Sequence, residues 1–302
     1  MQRATEDNPQ SDTPKKANRP PSAVGLRWFT ALIAIPIVLT FVWFGGWWAF
    51  AATVIVVVIS TYELHNMMLH SGYHPIILLS LALGVLILIA AMFPRQQSLI
   101  LEIGFSATLL ASFPWLFFRQ NLDGTLVDWS LTFAIAVYTG FPMSFFLLLR
   151  GYEASVWQGF SGTWVYLPRG TWWLLIVLLG VWGFDAAAFF TGRSFGRHKL
   201  SPRISPAKSW EGVIGGFVLS IVAALVLTVK PLGVPWYLAI VLGILLGIAA
   251  VLGDLAESLI KRQMHVKDSG QFMPGHGGLL DRVDSLLFAV IVVYFFALCV
   301  GL

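Results

Sequence analysis

Apolar residues run in long uninterrupted stretches along this chain, and polar residues collect in the gaps between them. Stretches that approach the ~20 residues needed to cross a bilayer fall near 27–44, 47–61, 76–93, 98–118, 131–149, 172–191, 212–229, 236–253 and 286–302. Because every backbone N–H and C=O inside a bilayer must be satisfied internally, such stretches predict helices. The expected fold is therefore all-α: a polytopic integral membrane protein with about nine transmembrane helices. The first two stretches are separated only by Gly45-Gly46, and the second is short, which predicts a tight hairpin or one re-entrant element. Residues 1–24 are polar, contain proline and lack periodicity, so they are expected to form a disordered tail rather than a cleaved signal. The rest divides into N-terminal transmembrane helices over 25–171 and a C-terminal region over 172–302 that holds most of the polar clusters.

Composition narrows the class. The chain is 57% hydrophobic and 11% charged, with a mean hydropathy of +0.78, whereas an ordinary soluble domain carries about 25% charge. Cys299 is the single cysteine, so no intramolecular disulfide can form. With the N-terminus cytoplasmic and nine spans, fifteen of the nineteen Lys and Arg fall on the cytoplasmic side and only Arg95, Arg150, Arg169 and Lys230 on the other. Cytoplasmic enrichment of Lys and Arg is the orientation signal of membrane helices. It predicts that segments 192–211 and 254–285 emerge together on the cytoplasmic face. Trp43, Trp47, Trp48, Trp157, Trp164, Trp172 and Trp173 lie near stretch ends and are read as interfacial anchors.

The chemistry gathers in residues 253–285, which hold five of the fifteen acidic residues. Asp254, Glu257 and Ser258 follow an apolar stretch at spacings that put them on one helix face. Asp281, Asp284 and Ser285 repeat the pattern at the start of the last stretch. Two such carboxylate pairs make an oxygen-rich site suited to a hard cation such as Mg²⁺; the plainer alternative is that they serve helix termini. The turn Gly275-His276-Gly277-Gly278 precedes a helix start, where unobstructed N–H groups favour an anion. Lys261, Arg262, Lys267 and Arg282 flank it.

Upstream, Asp185 lies inside an apolar stretch, where an ionisable group is costly and by default a functional candidate. Ser205-Pro206 predicts a helix start with serine as N-cap and Lys208 in the first turn. A lysine there opposes the helix dipole, and a bound phosphate would account for it. Glu63, His65, His70 and His74 follow the second stretch and are read as a polar loop.

These residues resemble the signature of the integral-membrane phosphatidate cytidylyltransferases, the CDP-diacylglycerol synthases. Ser258, Lys261-Arg262, Lys267-Asp268, Gly270, Pro274, His276-Gly277-Gly278, Asp281-Arg282 and Asp284 stand in its register. The similarity continues upstream through 185–193, 195–200 and 205–212, so the clear part covers about the last 120 residues. Met273, Phe189 and Ser209 depart from the family pattern; Phe189 lacks a hydroxyl usual at that position.

The resemblance implies transfer of a cytidylyl group from CTP to phosphatidate, with release of pyrophosphate, during phospholipid biosynthesis. It implies Mg²⁺, with room for a second cation, held by Asp254, Asp281 and Asp284. Catalysis would fall to Asp281, Asp254 and Lys208. Substrate binding would fall to Asp185, Ser205, Lys261, Arg262, Lys267, His276, Gly277, Gly278 and Arg282. CTP, phosphatidate, the bilayer of the inner membrane and a second copy of the chain are the expected partners, and nucleic acid is not. The rival functions are a CTP-dependent enzyme acting on another membrane lipid and an ion-coupled transporter.

Overall fold

The computed structural model describes residues 23–120, 122–151, 167–272 and 277–301. Among these, helices occupy all nine of the predicted stretches: α1 (Ala23–Phe44), α2 (Gly46–His70), α3 (Ile77–Met92), α4 (Gln97–Phe117), α5 (Thr125–Arg150), α6 (Arg169–Phe195), α7 (Trp210–Leu232), α8 (Trp236–Gln263) and α9 (Leu280–Cys299). Seven of them are long and apolar enough to cross a membrane; α3 and the apolar part of α1, Leu32–Phe44, are shorter. Residues 1–22 of the predicted tail, Trp157, Trp164 and His276 lie outside the described residues, while Ala23 and Val24 open α1 instead of ending the tail.

The helices run back and forth, so that the ends at 70–77, 117–125, 195–210 and 263–280 share one side of the bundle. Side-chain contacts tie that side together. Asp128 accepts the backbone N–H of His74 at 2.7 Å and pairs with Arg119 at 2.6 Å. At the opposite end, Arg150 donates to the carbonyls of Val42 and Trp43 at 2.7 and 3.0 Å, satisfying acceptors that the end of α1 leaves orphaned. Gly45, at φ +61°, makes this reversal possible: a Cβ there would sit 2.7 Å from Arg150 Nε. The first two stretches therefore form a hairpin of two separate helices rather than one re-entrant element.

The main hydrophobic core draws on both halves of the chain, from Val42 and Val57 to Leu246 and Val293, and a smaller cluster joins Leu83, Ile87 and Ala136. The buried hydroxyls of Thr61 and Thr139, 2.9 Å apart, join α2 to α5. Trp43, Trp47 and Trp48 are exposed, as anchors would be, but Trp173 is 1% exposed. It packs against Phe296 of α9 and is a core residue, because it lies on the inward face of α6.

Two boundaries differ from the sequence expectation. Helix α2 continues well past residue 61, so Glu63 and His65 are buried helix residues and not part of a polar loop. Residues Ser205–Ser209 form a strand, β2, antiparallel to β1 (Lys199–Ser201), with Ser201 opposite Ser205 and Lys199 opposite Ser209. The helix start lies four residues later than Ser205. Ser209 is the N-cap, its hydroxyl accepting the N–H of Gly212 at 3.2 Å. Lys208 consequently stands in β2, not in a first helical turn.

Candidate active site

Two helix ends and the hairpin supply the polar groups. Helix α8 runs on to Gln263, so Asp254, Glu257, Ser258 and Lys261 share a face. Gly253 lets α9 approach closely: a Cβ there would lie 3.0 Å from the Cα of Ser285. That crossing brings Asp254 to the first turns of α9, where Asp281, Asp284 and Ser285 stand.

Lys261 stands between two carboxylates. Its Nζ is 2.6 Å from Asp281 Oδ1 and 2.6 Å from Glu257 Oε2. The Glu257 side chain has no exposed surface, and a carboxylate in that position requires a counter-charge. The other oxygen of Asp281, Oδ2, accepts the N–H of Ser269 at 3.0 Å, the hydroxyl of Ser269 at 3.0 Å and the N–H of Gly278 at 2.9 Å. Asp284 is buried, and its Oδ1 accepts the N–H of Ser285 at 2.6 Å. Asp254 accepts the hydroxyl of Ser258 at 3.2 Å through Oδ1 and forms an ion pair with Lys208 through Oδ2.

The hairpin that carries Lys208 is held from both sides. Glu211, in the first turn of α7, accepts the N–H groups of Arg197 and His198 at 3.1 and 3.2 Å and lies 2.6 Å from His198 Nδ1. From α8, Arg262 Nε donates to the carbonyl of Ile204 at 3.3 Å. Arg262 thus braces the hairpin, and Ser205 opens β2 opposite Ser201. Lys267 is exposed in the loop that follows α8.

The glycine turn meets carboxylates. Gly277 takes φ +88°, a backbone conformation that suits glycine. The next three N–H groups are all engaged: Gly278 donates to Asp281, while Leu279 and Leu280 donate to Glu63 at 2.9 and 2.8 Å. Glu63 comes from α2, more than two hundred residues away in the chain. Sequence reasoning missed it because the polarity of the cluster S-T-Y-E-L-H-N (60–66) was taken to end the second helix. A carboxylate following a long apolar stretch without a glycine or proline break was the available signal.

Beside this cluster lies a cavity of about 400 Å³ between α1, α2, α5, α6 and α9. Its walls are mostly apolar and include Val38, Ala52, Val56, Met143 and Trp182. Asp185, Asp281, Arg282 and Asp284 also line it, so charged groups from α6 and α9 meet the apolar walls in one space. Asp185 is accessible along this wall.

Among the described residues, no three Asp, Glu, His or Cys side chains converge closely enough to hold a metal ion unaided. Asp281 is committed to Lys261, Ser269 and Gly278, and Asp254 to Lys208 and Ser258. Mg²⁺ does not demand a closed protein cage, since it keeps waters and takes one or two carboxylates together with substrate phosphates. The oxygen donors of Asp254, Asp281 and Asp284 fit that chemistry.

Residues 25–300 match a family model described as the cytidylyltransferase family. A phosphatidate cytidylyltransferase of Brucella suis biovar 1 is 43% identical over 164 residues, 53% of this chain and 54% of that protein. One from Bacillus subtilis is 33% identical over 221 residues, covering 70% of this chain and 76% of its own length. One from Synechocystis is 31% identical over 294 residues, covering 89% and 95%. The chain thus spans about half the length of the Brucella relative and nearly all of the Synechocystis one.

Proposed function

We propose, since the chain belongs to the cytidylyltransferase family, that it transfers the cytidylyl group of CTP to phosphatidate, giving CDP-diacylglycerol and pyrophosphate. The observation that carries this reading is the cavity in which charged groups from α6 and α9 meet apolar walls. A diacyl lipid has that division: its chains suit the walls formed by α1, α2, α5 and α6, and its phosphate suits the charged groups.

The chemistry requires little covalent assistance. An oxygen of the lipid phosphate is already ionised at neutral pH. It attacks the α-phosphorus of CTP, the new P–O bond forms, and the bond to the oxygen bridging the α- and β-phosphorus breaks to release pyrophosphate. The barrier lies in bringing two anions together and stabilising charge on the leaving group, which positioning and electrostatics supply. In this reading Lys208, which the braced hairpin holds beside Asp254, would meet the nucleotide phosphates. Arg282, on the cavity wall, would meet the lipid phosphate. Lys261 pairs with Asp281 and orients it. Asp254, Asp281 and Asp284 would hold Mg²⁺, which when bound neutralises the phosphate oxygens and orients the triphosphate.

In this reading all nine helices cross the membrane with the N-terminus cytoplasmic, and the site opens to the cytoplasm at the inner membrane. The distribution of Lys and Arg supports that orientation. It also puts the site where CTP is available. Purified protein in lipid nanodiscs, given Mg²⁺, labelled CTP and phosphatidate, is expected to yield labelled CDP-diacylglycerol and pyrophosphate in equal amounts. Ion flux in liposomes without any nucleotide product would replace the enzyme with a transporter.

A further inference from the structure

Glu63 reaches this cluster from α2. It is 5% exposed. Its Oε1 accepts the N–H of Leu279 at 2.9 Å, and its Oε2 accepts the N–H of Leu280 at 2.8 Å. These are the N–H groups at the start of α9, where the N-cap position is Leu279 and offers no side-chain acceptor. The helix that carries Asp281 and Asp284 is therefore capped by a carboxylate from α2.

A second group of contacts links Glu63 to Asp281. Ser269 Oγ lies 3.2 Å from Glu63 Oε2 and 3.0 Å from Asp281 Oδ2. Its single hydrogen can serve one of them at a time. The two carboxylates thus share the same hydroxyl and the same loop. The glycines on either side make space for this arrangement. A Cβ at Gly270 would sit 2.6 Å from Glu63 Oε1, and one at Gly278 would sit 2.7 Å from Glu63 Oε2. Gly278 belongs to the turn read from the sequence as favouring an anion, yet what both glycines admit here is the Glu63 carboxylate.

We propose that Glu63 is a positioning residue for the transfer reaction: it fixes the start of α9 and the Ser269 loop, and through them the place of Asp281. This rests on the cytidylyltransferase reading above. Glu63 itself touches no reacting atom. An ordinary helix cap contributes to stability and nothing to turnover, so the two roles separate experimentally.

The test uses the full-length protein in nanodiscs carrying Glu63→Gln. Glutamine keeps the size but has one acceptor oxygen, and it turns an NH₂ group toward the second backbone N–H. Amide exchange in the peptide containing Leu279 and Leu280 should quicken by about tenfold or more, while exchange elsewhere in α8 and α9 stays unchanged. The kcat should fall roughly 10- to 100-fold with the KM for CTP within about twofold, as expected of a small misplacement of a reacting group. Added to Asp281→Asn, the same change should lower the residual rate less than about twofold, because both act on one element. Gly270→Ala, which displaces the carboxylate without removing it, should reproduce the loss of kcat. Unchanged exchange at Leu279 and Leu280, a normal kcat despite faster exchange, or a full further loss on top of Asp281→Asn would each overturn the proposal. Were the wild-type protein itself unable to use CTP and phosphatidate, the functional reading would fail, and the exchange pattern would still decide whether Glu63 holds the start of α9.

Discussion

Lys261 Nζ lies 2.6 Å from Asp281 Oδ1, joining the last turns of α8 to the first turn of α9. The same ammonium contacts Glu257, so one cation stands between two carboxyl groups whose side chains are 8% and 0% exposed. Breaking a buried ion pair by removing one partner typically costs 3–5 kcal/mol, whereas replacing the whole pair with apolar groups is often neutral. Lys261→Met is therefore expected to lose roughly 3–5 kcal/mol. Adding Glu257→Leu should restore only the part due to Glu257, and none of the turnover, since the buried Asp281 still lacks its cation. Thermal unfolding in detergent, beside initial rates with labelled CTP, checks both parts.

Lys208 and Asp254 are paired under different conditions. Their side chains are 25% and 26% exposed, and an exposed pair contributes about 0–1 kcal/mol. Lys208→Met should leave the unfolding midpoint nearly unchanged. If Lys208 meets the nucleotide phosphates, the same substitution lowers kcat/KM by roughly 10²–10³-fold, the usual effect of removing one group that stabilises developing charge. Asp254→Asn should likewise abolish turnover without unfolding the protein. A Lys208→Met protein of near-normal activity would take that residue out of the site.

The helix start after the hairpin separates two sequence-level readings. Ser209, buried, caps α7, and Ser205 lies in β2. Ser209→Ala should therefore cost about 1 kcal/mol, and Ser205→Ala should stay within about 0.5 kcal/mol. Equal effects would mean that the helix begins earlier than Ser209.

That difference illustrates what was legible. The helices were readable because a bilayer-length apolar stretch allows few alternatives, and the face shared by Asp254, Glu257 and Ser258 followed from helical spacing alone. Ser205-Pro206 and Ser209-Trp210 are both plausible starts locally. The choice falls to Ser209 because Ser205–Ser209 pairs with Lys199–Ser201, a non-local contact that spacing does not encode. Glu63 was illegible for the same reason: its partners are Ser269, Leu279 and Leu280, over two hundred residues distant. The carboxylates of α8 and α9 were identifiable as a cluster, but their division between Lys208 and Lys261 depends on the crossing at Gly253.

The cavity gives a prediction that concerns the lipid alone. Ala52 faces it from α2, among the apolar residues Val38, Val56 and Met143, and a larger side chain there would occupy space without touching the charged groups. Ala52→Trp adds an indole to a volume of about 400 Å³. If the acyl chains lie in this cavity, the substitution raises the KM for phosphatidate by about tenfold or more while the KM for CTP changes less than about twofold, because only binding contacts remote from the phosphates are lost. A short-chain phosphatidate should be affected less than a long-chain one, since fewer methylenes compete with the indole, each worth ~0.8 kcal/mol when buried. Equal rises for CTP and lipid would show that the indole disturbs the site as a whole. No change with either chain length would place the acyl chains elsewhere.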